Sequence, residues 1–136
     1  MSSAELTKLA LEPLSIMLDV KNQRVVVNGG AYIFCDRRWT AEALTNIVKN
    51  AHEHSPEGGE IAVAAGANPI CAWISVTDSG AGVERDDIKK IFKRFETGGN
   101  GYGIGLPLAL SIMRGQNGDI EVTGNTFTMK FYNEIK

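Results

Sequence analysis

The chain has 136 residues, 43% of them apolar and 22% charged, with a net charge of −2. That length suits one domain around one core, the balance excludes a disordered segment, and no cationic surplus points to nucleic acid. The longest apolar runs, such as Ala62–Ala65, fall far short of the ~20 residues that span a bilayer.

In chain order, Leu6, Leu9, Ala10, Leu14 and Met17 form a helical stripe that Pro13 interrupts. No secretory signal is read there, because Ser2, Ser3, Glu5 and Lys8 break up the apolar residues. Arg24–Val27 and Tyr32–Cys35 read as two short strands joined by a hairpin turn at Asn28-Gly29-Gly30, since Asn-Gly tolerates positive φ. Arg38–His54 is the clearest helix, with Trp39, Ala43, Ile47 and Ala51 on its apolar stripe. Ser55-Pro56-Glu57-Gly58-Gly59 ends it.

Ile61–Ala65 and Cys71–Thr77 are predicted strands. Asp86–Phe95 repeats Ile88, Ile91, Phe92 and Phe95 at helical spacing. A glycine-rich loop from Glu96 to Gly105 follows, then a helix over Leu106–Arg114 and a strand pair, Asp119–Val122 with Thr126–Tyr132. The order predicts one α/β domain with an antiparallel or mixed sheet. Cys35 and Cys71 lack ligand-spaced neighbours and read as reduced packing residues, not metal ligands.

Three features carry chemistry. Glu42, Asn46, Asn50 and Glu53 share one helix face; a solvated face would explain them, but an Asn oxygen is also a fitting Mg²⁺ ligand beside substrate phosphates. Alternation along Cys71–Thr77 puts Ala72, Ile74, Val76 and then Asp78 on one face, before Ser79-Gly80-Ala81-Gly82 turns the chain. An Asp in a glycine turn is ordinary; a carboxylate fixed at a pocket floor could also accept a hydrogen bond from an amino group such as adenine's. Gly101-Tyr102-Gly103-Ile104-Gly105-Leu106 runs into a helix, whose first amides and dipole suit phosphate. It is neither a Rossmann fingerprint nor a P-loop. Phe92 and Phe95 could be a recognition element, but their helical spacing reads first as core.

Taken in order, Asn46-x-x-x-Asn50-Ala51, Asp78-x-Gly80-x-Gly82, Phe92-x-x-Phe95 and Gly101-x-Gly103-x-Gly105-Leu106 resemble the four-motif signature of the histidine kinase ATPase domain. The wider superfamily includes gyrase, heat-shock chaperones and mismatch-repair ATPases. The resemblance implies its two-layer α/β sandwich, the Bergerat ATPase fold: a mixed, mainly antiparallel sheet of about five strands with about three helices on one face. It also implies roles. Asn50 would ligate Mg²⁺ and Asn46 would support the phosphates, these two being the catalytic positions. Asp78 would bind the adenine amino group with Gly80 and Gly82 beside it, and His54 would lie against the nucleotide. Phe92, Phe95, Gly101, Gly103, Ile104, Gly105 and Leu106 would complete the ATP site, and Thr126 would reach the adenine side.

The implied function is that of the ATP-binding catalytic domain, residues 1–136, of a bacterial two-component sensor histidine kinase. It would donate the γ-phosphate of ATP to a histidine on a separate dimerisation domain, with a response regulator downstream. The implied location is cytoplasmic, in a parent that membrane-anchored segments could hold. No such acceptor hairpin is read in the chain, whose two histidines, His52 and His54, both lie in the asparagine helix. The isolated domain is therefore expected to be monomeric and not to phosphorylate itself. Gyrase-type relatives carry a general-base Glu where Asn46 stands, and an amide cannot take up a proton, so transfer is favoured over hydrolysis. The sequence departs from relatives in Glu53, where many have Lys, in Glu96-Thr97 after Phe95, and in Pro107, which lacks a backbone donor. Those departures point to the alternative, a degenerate nucleotide-binding module without phosphotransfer.

Overall fold

The computed structural model describes residues 1–80 and 105–132. Helix α1 spans Ser3–Leu11 and starts where the Ser2 hydroxyl accepts from the Glu5 amide at 3.2 Å. Pro13 then converts the chain to a single 3₁₀ turn, Glu12–Leu14, before α2, Ser15–Val20. The break keeps Leu14 and Leu18 in the core with Leu6 and Ala10.

Strand β1, Arg24–Gly29, is followed by the long helix α3, Arg37–His54, and by β2, Glu60–Ala67. Among the described residues β3, Cys71–Thr77, is followed by α4, Gly105–Gly115, then β4, Gly118–Thr123, and β5, Thr126–Tyr132. The sheet order is β1-β2-β3-β5-β4. Only β1 and β2 run parallel; the other pairs are antiparallel. The sheet is thus mixed and mainly antiparallel, as the sequence implied.

Register explains the core. Val63, Val76 and Phe127 form one cross-strand row, and Ile74 with Met129 belongs to the next; all face α3 and α4. Against them pack Ala43, Leu44, Ile47, Val48 and Ala51 of α3, with Leu106, Ala109 and Met113 of α4. The other sheet face carries Trp73 among small and polar residues such as Ala62, Ala64, Ser75 and Thr128. The Trp73 ring lies over Gly66, directly opposite it in the ladder, and a Cβ on Gly66 would come within 2.4 Å of that ring.

Three expectations change. There is no hairpin at Asn28-Gly29-Gly30: β1 pairs with β2, and α3 lies between them in sequence. Gly29 does take a positive φ of 71°, yet it sits opposite Ala65, where a Cβ would be 2.3 Å from the Ala65 carbonyl oxygen. Tyr32–Cys35 is not a strand. Tyr32 makes one isolated bridge to Ser2, and the amides of Ser3 and Ile33 bond to the carbonyls of Ala31 and Met1. Pairing with an apolar neighbouring strand outweighed the local turn preference. Third, Trp39 is 55% exposed, not core. Asp36 caps α3 by accepting from the Trp39 amide, so Trp39 lies in a first turn that leads outward and the buried stripe begins at Thr40. Cys35 is half-buried and Cys71 buried, and neither forms a disulfide among the described residues. Asp86–Phe95 lies outside the described residues.

Candidate functional site

Helix α3 is the spine of the site. Asn46, Asn50 and His54 follow at steps of one turn, a span of about 12 Å at 1.5 Å per residue. At one end, Gly105 opens α4 against Asn46: a Cβ on Gly105 would rest 3.7 Å from the Asn46 amide oxygen. At the other end, Gly80 meets the last turn of α3. A Cβ there would lie 2.1 Å from the His54 carbonyl oxygen, so only glycine permits this approach. The asparagine motif, the aspartate turn and the start of the phosphate-type helix therefore lie along one helix.

Asp78 is only 5% exposed and continues the inward face of β3, as alternation required. Its Oδ1 accepts from the Gly80 amide at 2.8 Å, its backbone N–H donates to the Asn125 carbonyl, and its carbonyl accepts from Asn125 Nδ2. Oδ2 makes no hydrogen bond among the described residues. The carboxylate is thus oriented by one oxygen and left open at the other.

Asn50 is likewise 5% exposed, which overturns a solvated-face reading for it. Neither its side chain nor that of Asn46 forms a hydrogen bond among the described residues. Buried polar groups are normally paired, so an unpartnered amide invites a ligand. An amide oxygen is a hard donor of the type Mg²⁺ accepts, and Asn50 fits that ion.

Leu106 is buried in the core and roots α4. Pro107 falls in the first turn of α4, where its missing N–H costs no intrahelical bond. Thr126 is not brought to the cleft. Its hydroxyl is 2.9 Å from that of Thr77, its ladder partner, and Thr77 points to the opposite sheet face from Asp78. Gly82, Phe92, Phe95, Gly101, Gly103 and Ile104 lie outside the described residues, as does Glu96-Thr97.

Sequence reasoning missed the clamp that holds the end of α3. Gln23 is buried, and its Nε2 donates to the carbonyls of His52, Ser55 and Pro56 at 3.0, 3.0 and 3.3 Å. Lys21 Nζ adds a bond to the His52 carbonyl at 2.9 Å. With its nitrogen so engaged, Gln23 turns its oxygen to His52 Nδ1 at 2.6 Å, which makes Nδ1 the protonated nitrogen. Burial, then Lys21 and Lys49, hold the His52 imidazole below its usual pKa, so it stays neutral. The Ser55 hydroxyl accepts from the Ser79 amide, tying the helix end to the Asp78 turn. An isolated Gln or Ser carries no spacing signal that could have revealed this.

Glu53 is half-buried, and its Oε2 is fully buried without a hydrogen bond. Burial holds its carboxyl above the ordinary range, with Lys49 and then Lys21 pulling the other way. A pKa raised by folding favours the folded state below the unfolded value, and that contribution is lost as pH rises through the folded value. Ligand-free Glu53→Gln should therefore melt a few degrees above wild type near about pH 7, with the gap closing toward about pH 4. Circular dichroism melts at the two pH values check this; equal melting at both contradicts it.

Residues 35–135 match the family of histidine kinase-, DNA gyrase B- and HSP90-like ATPases. The chain belongs to this family. Sensor protein IrlS of Burkholderia pseudomallei is 33% identical over 132 residues, covering 88% of this chain and 28% of IrlS. Sensor histidine kinase WalK of Bacillus subtilis is 31% identical over 121 residues, covering 76% of this chain and 20% of WalK. The chain thus spans less than a third of either relative. Among solved structures, the mycobacterial sensor histidine kinase MprB matches with a TM-score of 0.85 at 20% identity, covering 100% of this chain and 97% of that one. The nucleotide-free catalytic domain of histidine kinase ThkA gives 0.82 at 22% identity, over 97% and 94% of the two chains. These structures establish the fold of this ATPase-family domain. Among its described residues no helix is long and apolar enough to cross a membrane.

Proposed function

We propose that this chain is the ATP-binding catalytic domain of a two-component sensor histidine kinase, handing the γ-phosphoryl group of ATP to a histidine on a separate dimerisation domain. The observation that carries the reading is the line Asn46–Asn50–His54, which joins Gly105 at one end to the Asp78–Gly80 turn at the other. A base and a phosphate chain need those two ends. Asp78 offers the open Oδ2 as acceptor for the adenine amino group. The N-terminus of α4 offers amides without intrahelical partners and a partial positive charge for phosphates.

Asn50 would hold Mg²⁺, which when bound neutralises phosphate charge and orients the transferred group. Asn46 supports the phosphates and has no basic atom for activating water, so the site favours transfer to an imidazole over hydrolysis. The phosphoryl group would then pass to a response regulator. The domain works in the cytoplasm, on its own as a monomer, and its described residues carry no acceptor.

The test is reconstitution. The 136-residue chain with Mg²⁺ and ATP should form acid-labile phosphohistidine only when the parent kinase's hairpin domain is added. No phosphohistidine with the true hairpin, or steady ATP hydrolysis by the chain alone, would overturn the assignment.

A further inference from the structure

Glu53 is left unexplained by the function above. It stands three residues after Asn50, so the two side chains are neighbours on one helix face. One of its oxygens is fully buried, and it forms neither a hydrogen bond nor an ion pair among the described residues. Lys49 and Lys21 act on it at long range without forming an ion pair. Carboxylates in such positions are normally paired or bound to a metal. Asn50 beside it is buried and likewise makes no side-chain hydrogen bond among the described residues, but is neutral. Mg²⁺ in nucleotide sites is commonly held by one or two carboxylates together with substrate phosphates. A negative charge near a polyphosphate is repulsive unless a cation lies between them.

From this juxtaposition we propose that Glu53 is a second protein ligand of the divalent cation, sharing it with Asn50 and making nucleotide binding strictly cation-dependent. The inference rests on the nucleotide reading of the site. Glu53 supplies the formal charge that Asn50 lacks, and the cation relieves the unpaired carboxylate. Nucleotide without the cation meets a bare carboxylate and is turned away.

The experiment compares wild type, Glu53→Gln and Glu53→Asp, using a non-hydrolysable ATP analogue with Mg²⁺ or with EDTA. Mn²⁺ in the ternary complex is followed in parallel by electron paramagnetic resonance. Wild type should lose binding on cation removal. Glu53→Gln should bind the analogue roughly tenfold more weakly in Mg²⁺, show a smaller difference between Mg²⁺ and EDTA, and hold Mn²⁺ less tightly. Glu53→Asp should restore part of the cation dependence. Unchanged or tighter binding by Glu53→Gln in Mg²⁺, or unaltered Mn²⁺ retention, overturns the proposal while leaving the nucleotide site intact. If wild type binds no analogue under either condition, the nucleotide reading itself fails, and this inference with it.

Discussion

Asp78→Asn is expected to lower affinity for a non-hydrolysable ATP analogue by on the order of a hundredfold, with the fold unchanged. The reason lies in how the carboxylate is held. The Gly80 amide donates to Oδ1, and an asparagine would keep that bond through its own oxygen. Its NH₂ group is then forced into the place of Oδ2, where an acceptor is needed for the adenine amino group. A charge-assisted hydrogen bond is replaced by two facing donors, a change of about 3 kcal/mol, which is the hundredfold loss at about 1.4 kcal/mol per factor of ten. Calorimetric titration of both proteins in Mg²⁺ measures it, and circular dichroism checks the fold. Equal affinities would remove Asp78 from base recognition, and a guanine analogue binding as well as the adenine one would do the same.

The second large effect is expected at Gly80. Its φ does not demand glycine; its neighbour does. A methyl group there would lie 2.1 Å from the His54 carbonyl oxygen and 3.1 Å from its carbon. Backbone on both sides must give way, and the His54 side is anchored by Gln23 and Lys21 through the last carbonyls of α3. Gly80→Ala should therefore cost about 1–3 kcal/mol of stability and also weaken nucleotide binding severalfold, because Asp78 moves with the turn. Gly115→Ala is the matched control, since nothing lies within 4 Å of its Cβ and α4 ends there. It should be neutral or slightly stabilising. Chemical denaturation of the two variants separates them; a neutral Gly80→Ala would show that the turn and the helix end are not locked together.

Both predictions use residues that were visible in the sequence and contacts that were not. The inward direction of Asp78 follows from strict alternation in Cys71–Thr77, a local property of extended chain. The three-turn line of Asn46, Asn50 and His54 likewise follows from helical period. The contact of Gly80 with the His54 carbonyl is different in kind, because it joins residues far apart in sequence through packing. The same holds for Gln23, whose amide satisfies three carbonyls at a helix end. Thr126 shows the reverse case: motif likeness pointed it to the adenine side, whereas it alternates with buried Phe127 and pairs with Thr77 on the outer sheet face.

By itself the chain's order of residues determined the helix α3, the strands β3 and β5 and the family motifs, because each rests on a period or a spacing within a short stretch. Tertiary structure alone decided that β1 pairs with β2 and forms no hairpin, that Trp39 is surface, and that Asn50 and Glu53 are sheltered rather than solvated. Those outcomes depend on which apolar surfaces meet across the fold. Local period marks which side of an element is apolar, but which surfaces are covered is decided only when the layers assemble.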